Sequence, residues 1–275
     1  MGLPSTPSAS SPSPGEPSGE RLRNEFARET DRKEHLKYGI RKKLEELASR
    51  RMPAVHVPSR FDERARLDRL DWLGAGSKEG KRLVRYCRKF VEAELGRDLF
   101  PVKGPLLMSP SGFGKTHLVY AVAREIAAGI ASRITALRDQ RTAELSDKVD
   151  RDEAAVDFQV DWPPETSIVV TSGSEIAHDL RASIQKNNLD SVVARYRQSP
   201  VVRARGKAIL CVDDIEVFKP NEWLGEELYR ILDFRYAEGL PTMIATNLAP
   251  EELAAQFGDR IGRRILDMTE PFLLK

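Results

Sequence analysis

The chain has 275 residues, 40% of them hydrophobic, with 44 Lys and Arg against 42 Asp and Glu, a net charge of +2. That size suits one large domain plus a small accessory piece, and the hydrophobic content is ordinary for a globular protein. No apolar run approaches the roughly 18 residues of a membrane span, the N-terminus has no apolar signal core, and Cys87 and Cys211 form no metal-ligand pattern, so a cytoplasmic protein with free thiols is expected.

Residues 1–20, MGLPSTPSASSPSPGEPSGE, are rich in Ser, Pro and Gly; with little to bury they read as a disordered tail. Residues 21–52 follow as a basic arm. From Arg21 to Arg51 there are eleven basic and six acidic side chains. Sparse apolar residues at Leu36, Ile40, Leu44 and Leu47 predict an amphipathic helix ending before Pro53. It reads either as a solvated helix or as an arm that binds a partner or DNA. Residues 53–77 read as a linker, and a helix is predicted over 78–96, where Leu83, Cys87, Phe90, Val91 and Leu95 keep helical spacing.

From Pro105 the pattern changes to short apolar runs separated by helices. GPLLMS, SIVVTS, KAILCVDDI and PTMIATN are strand candidates, with helices predicted near 116–128 and 175–184. Apolar strands alternating with helices indicate an α/β domain with a mainly parallel sheet over 78–275. The segment 132–165 breaks that rhythm. It carries nine acidic and five basic residues and reads as an insertion, either a helical excursion or a mobile loop.

Four stretches carry chemistry. SPSGFGKTHL resembles a P-loop, with Ser109 where G-x-x-x-x-G-K-[ST] wants its first glycine. Gly112 and Gly114 let successive N–H groups point into one concavity, to which the following helix adds the positive end of its dipole. Lys115 would reach the β- and γ-phosphates of ATP, and the Thr116 hydroxyl would ligate Mg²⁺. The binding segment is thus Ser111, Gly112, Phe113, Gly114, Lys115, Thr116 and His117. Ser109 precedes Pro110, which favours extended geometry, so it can leave the strand without a left-handed turn.

KAILCVDDIEVF is an apolar strand ending in paired acids. Asp213 can hold Mg²⁺, and Asp214 is placed to orient or deprotonate the attacking water. Glu216, past the strand end, is a weaker candidate for that base. PTMIATNLAPEEL ends its strand in Asn247, an amide that can hydrogen-bond the γ-phosphate or the lytic water, or cap the helix that starts near Pro250. FGDRIGRRILDM places Arg260, Arg263 and Arg264 on a helix. Arg264, then Arg260, are the candidates for an arginine finger acting on a neighbouring subunit's site.

With these elements in order, the chain resembles the DnaC/IstB-type branch of AAA+ ATPases over roughly residues 50–270. The resemblance implies a P-loop core whose five-stranded, mainly parallel sheet has the order 5-1-4-3-2. It also implies Mg-ATP binding and work on DNA in a multi-subunit arc or ring. Asn247 then stands at the sensor-1 position. The aspartate at 214 stands where many AAA+ proteins carry glutamate, which implies slow turnover. The chain stops at Lys275 with no C-terminal helical lid domain, as in the loaders of the branch.

Two functions follow from the resemblance. One is an ATP-dependent loader of a replicative DNA helicase, with the N-terminal arm gripping the helicase and the core holding single-stranded DNA. The other is an IstB-type transposition helper acting with a transposase on duplex DNA. Arg195, Arg197, Arg203 and Arg205, in a segment with one acid, are the candidate phosphate contacts, with Tyr196 available for base stacking. A small-molecule kinase fits poorly, because it would need a lid arginine set and an acceptor pocket. A nucleotide-dependent scaffold without hydrolysis stays open.

Overall fold

The computed structural model describes residues 19–53, 55, 58, 65–69, 77–95, 103–153, 157–162, 165–198 and 207–274. The expectations for residues 1–18, for most of the linker 53–77, and for Arg203 and Arg205 fall outside these residues. Twelve helices and strands are named here: α1 (Gly19–Ser49), α2 (Lys78–Leu95), β1 (Gly104–Met108), α3 (Lys115–Asp150), β2 (Thr166–Ser172), α4 (Gly173–Lys186), α5 (Leu189–Arg197), β3 (Lys207–Asp213), α6 (Glu222–Ala237), β4 (Thr242–Thr246), α7 (Pro250–Met268) and β5 (Thr269–Leu273). Among the described residues, no helix is long and apolar enough to cross a membrane.

The chain divides into two compact units. The larger comprises Ala48–Leu137 and Asp161–Lys275. It is built on a five-stranded sheet in the order β2-β3-β4-β1-β5, with every pair parallel. Read from the other edge, this is the expected 5-1-4-3-2. In β1, all five residues are buried, because both faces of the strand are covered. Leu107 points with Ile209, Cys211, Met243, Ala245 and Phe272 into a core closed by α2 and the first part of α3. Leu106 and Met108 point with Leu210, Val212 and Ile244 into a second core closed by α4, α5, α6 and α7. Alternation along β1, β3 and β4 thus feeds two helical layers, which accounts for the absence of a polar face in the sequence of those strands. Cys87 and Cys211 are both free and buried.

The second unit comprises Met1–Leu47, of which residues 19–47 are described, and Arg138–Val160. Its buried apolar side chains include Ile40 and Leu44 from α1 and Leu145 and Val149 from the end of α3. Lys33 reaches Asp152 at 2.8 Å, and Lys37 reaches Asp150 at 2.8 Å. Acids of the segment that the sequence marks as an insertion therefore face bases of the predicted arm. The Phe26, Leu36 and Tyr38 side chains of α1 are exposed.

Some element boundaries differ from the expectation. The helix expected at 116–128 runs on unbroken to Asp150, so the helical alternative holds for that part of 132–165. The helix is largely apolar from Leu118 to Ala131 and strongly charged beyond it, and this change of composition, with Gly129 just past the expected end, reads as a stop that the helix in fact runs through. Helices α5 and α6 and strand β5 were not foreseen individually. Strand β5, TEPFL, carries a proline and, among the described residues, pairs only with β1, as an edge strand allows.

Candidate nucleotide site

The site forms where β1, β3 and β4 end side by side. Strand β4 lies between the other two, with Met108 of β1 opposite Thr246 and Val212 of β3 opposite Ile244. Ser109 extends the ladder by one bond, its N–H donating to the Thr246 carbonyl at 3.2 Å. Ser109 is not among the residues with positive φ, so serine fits there without backbone strain. Gly112 and Gly114 carry the left-handed turn of the loop, at φ 86° and 78°. The helix then starts at Lys115, with Leu118 N–H donating to the Gly114 carbonyl at 3.1 Å.

Lys115 is buried and turned back across the loop. Its Nζ donates to the Ser109 carbonyl (2.7 Å), the Pro110 carbonyl (3.0 Å), Ser109 Oγ (3.3 Å) and Asn247 Oδ1 (2.6 Å). Burial lowers its pKa, against the pull of Glu216, Asp214 and Asp213. Among the other loop residues, Ser111 Oγ donates to Asn247 Oδ1 at 3.5 Å, and Phe113 packs on the α2–α3 core. His117 is half-buried in the first turn of α3.

Asp213 ends β3. Burial pushes its carboxyl up to about 6, partly offset by a hydrogen bond from the Thr116 side chain. Its Oδ1 is buried and has no hydrogen-bond partner. A buried carboxylate oxygen left unsatisfied beside a hydroxyl is the donor arrangement that a hard cation completes. Among the described residues there is no cluster of three or more His, Cys, Asp and Glu that could hold a metal. Mg²⁺ at this point would thus rest on Thr116, Asp213, phosphate oxygens and water, a sparse set typical of that ion.

Asp214 sits in the left-handed region at φ 45°, which aspartate tolerates. The turn is confined by Gly173, where a Cβ would stand 2.8 Å from the Asp214 carbonyl oxygen. Burial raises the Asp214 pKa, reinforced by Glu216 and opposed by Lys115. Glu216 lies in the 3₁₀ turn Ile215–Val217 that follows. Its Oε2 accepts from Thr246 Oγ1 at 2.9 Å, and its Oε1 accepts a short bond from Asn247 Nδ2. Asn247 therefore does not cap α7. That helix begins behind Ala249, whose N–H donates to the Glu252 carboxylate at 2.7 Å.

The candidate fingers lie on α7. Arg264 donates to Asp233 at 2.7 Å and covers the Tyr236 ring at 4.1 Å, with its side chain 21% exposed. Arg260 covers the Tyr229 ring at 4.1 Å and stands 3.6 Å from Glu226, yet its side chain is 67% exposed. Arg260 is therefore the freer of the two. Among the candidate nucleic-acid contacts, Arg195 pairs with Asp179 at 3.0 Å and remains largely exposed. Arg197 donates to the Arg230 carbonyl at 3.0 Å and covers the Phe234 ring at 5.2 Å. Tyr196 corrects an expectation. It is fully buried with its hydroxyl donating to Asp179 at 2.7 Å, so it offers no face to a base.

Sequence reasoning missed two features. One is the engagement of Glu216 by Thr246 and Asn247, because nothing in a linear acid at the end of DDIE signals a contact with a different strand. The other is Arg235, fully buried on α6. It donates to Thr242 Oγ1 (2.9 Å), Gln198 Oε1 (2.9 Å), and the carbonyls of Ala208 (2.9 Å), Pro241 (2.7 Å) and Tyr196 (3.2 Å). Burial pulls its pKa down to about 9. It ties α5, β3 and β4 together at the end of the sheet remote from the loop.

No protein-family model and no curated protein matches the chain. Solved structures do match it. The DnaC helicase loader is 18% identical, covering 79% of this chain and 100% of that one, with a TM-score of 0.53. DnaI is 20% identical, covering 82% and 95%, also at 0.53. AMPPCP-bound DnaA from Aquifex aeolicus is 13% identical at a TM-score of 0.50, and the match covers 78% of this chain and 51% of that one. At these identities the likeness is one of fold. Together with the strand order and the loop at the end of β1, it shows that the chain has a P-loop fold of the AAA+ type, similar to that of the DnaC helicase loader.

Proposed function

We propose that the chain is an ATP-dependent loader of a replicative DNA helicase, one that binds Mg-ATP and single-stranded DNA and works as an oligomer. The observation that carries the nucleotide part is the placement of Thr116 beside Asp213, whose Oδ1 is buried without a partner. The helicase part rests on the fold shared with the DnaC helicase loader.

In this reading the loop from Ser111 to His117 holds the phosphates with backbone N–H groups and the N-terminus of α3. Lys115 offsets phosphate charge, and Thr116 and Asp213 hold Mg²⁺. When bound, Mg²⁺ screens the phosphate oxygens and draws charge from the γ-phosphoryl group. Asp214 orients or accepts a proton from the attacking water, a role helped by its raised pKa. Asn247 offers an amide N–H at the same place. Arg260 or Arg264 of a neighbouring copy supplies positive charge to the γ-phosphoryl group. Arg195 and Arg197, with Arg203 and Arg205, contact the DNA backbone, and the arm 21–52 binds the helicase.

The test is the purified full chain with its cognate hexameric helicase. Co-elution of the two in ATP, together with hydrolysis stimulated by single-stranded DNA, supports the loader. A chain that ignores the helicase and single-stranded DNA but associates with a transposase on duplex DNA contradicts it.

A further inference from the structure

The amide of Asn247 lies between two opposite charges. Its Oδ1 accepts from Lys115 Nζ at 2.6 Å, and its Nδ2 donates to Glu216 Oε1. Turned over by 180°, the amide would set its NH₂ against the ammonium and its oxygen against the carboxylate, two like-for-like contacts. The orientation is thus fixed by its neighbours. Only one of the two Nδ2 protons goes to Glu216, which leaves the other for an oxygen in the site.

Glu216 is itself held. Thr246 Oγ1, on the buried end of β4, donates to Oε2 at 2.9 Å. Gln256 Nε2 of α7 donates to the Glu216 carbonyl at 2.6 Å and to the Phe218 carbonyl at 3.3 Å. Both carboxylate oxygens therefore face the C-terminal end of β4 and the residue after it, and the backbone of the turn is pinned from α7. This geometry suits holding a neighbour rather than removing a proton from water.

We propose that Glu216 is a positioning residue for Asn247: it keeps the amide N–H aimed into the nucleotide site, so that the amide acts in hydrolysis without an orientational search. The inference rests on the reading of this place as a nucleotide site. Lys115 alone cannot supply the orientation during turnover, because phosphate oxygens compete for its ammonium. The Glu216 bond does not share that fate.

The experiment uses the full chain with Glu216→Ala and Glu216→Gln. Glutamine can turn its oxygen to Asn247 and donate its NH₂ to the Thr246 hydroxyl, so it preserves the acceptor. The first readout is the side-chain amide pair of Asn247 in ¹⁵N-edited spectra without nucleotide, identified by its loss in Asn247→Ala. One proton is expected downfield in the wild type, to move upfield in Glu216→Ala, and to stay near its place in Glu216→Gln. The second readout is hydrolysis. Misorientation of one group is expected to lower kcat about 10- to 100-fold in Glu216→Ala with AMPPCP affinity within about threefold, and Glu216→Gln is expected to restore most of the rate. An unmoved amide resonance and an unchanged kcat in Glu216→Ala overturn the proposal. Glu216→Gln as inactive as Glu216→Ala also overturns it, in favour of a role for the charge itself. Absence of AMPPCP binding by the wild type refutes the nucleotide reading instead, and the amide resonance still reports on the orientation.

Discussion

The Thr116 side chain lies close enough to Asp213 to hold down the pKa that burial raises, although β4 separates the strand that leads to the P-loop from the strand that Asp213 ends. This contact joins the P-loop helix to the acidic strand end, and it requires the crossover order of the sheet. No local feature of either segment would bring them together.

The burial of Asp213 makes a pH prediction. Its folded pKa, about 6, lies above the ordinary aspartate value of 3.8. The folded state therefore disfavours the ionised form. Stability without Mg²⁺ should fall as pH rises from about 4 to about 6 and level off above that. Asp213→Asn removes the buried charge and should stabilise the metal-free protein at pH 7 by about 1–3 kcal/mol. Urea unfolding at pH 4.5 and pH 7 measures it, and the gain should shrink at the lower pH.

Lys115→Ala removes the ammonium that meets the phosphates. Hydrogen bonds to charged groups contribute about 1.5–3 kcal/mol, so AMPPCP affinity should fall by at least tenfold. The shift of Tm with added AMPPCP, read by scanning fluorimetry, should shrink in step. Wild-type affinity in this variant would leave the loop without its proposed role.

Ser109→Gly restores the glycine of the P-loop pattern. Serine stands there without positive φ, and Lys115 reaches its carbonyl as well as its hydroxyl. Nucleotide affinity should stay within about threefold, while stability should fall by about 0.5–1 kcal/mol from added backbone freedom. Parallel titrations and denaturant unfolding separate the two effects.

Arg235→Met should be among the most damaging substitutions far from the site. It strips three buried carbonyls and two side chains of their shared donor. The expected loss is at least about 3 kcal/mol of stability, read as a large drop in Tm.

The fold was legible because the strands are apolar on both faces, and the nucleotide site because its residues keep motif spacing over short stretches. Gly112, Gly114, Lys115 and Thr116 are local, Asp213 ends a strand, and Asp214 and Asn247 each directly follow one. What escaped were contacts made only by the fold. Glu216 reads as a surface acid until β4 lies beside it. Arg235 reads as one basic residue of an amphipathic helix until the carbonyls of three segments converge on it. Tyr196 illustrates the opposite error, because basic neighbours suggested an exposed ring where helical packing buries it. The length of α3 was hidden because Gly129 and the change to charged composition beyond it resemble an end, although a glycine inside a helix costs only about 1 kcal/mol.

The most direct measurement is calorimetric titration of AMPPCP into the full chain with and without Mg²⁺, for the wild type and for Thr116→Val with Asp213→Ala. The wild type should bind one AMPPCP per chain, at least tenfold more tightly with Mg²⁺ than without, and the double variant should lose that dependence. Binding that ignores Mg²⁺ in the wild type, or no binding at all, would contradict the assignment of this place to Mg-ATP.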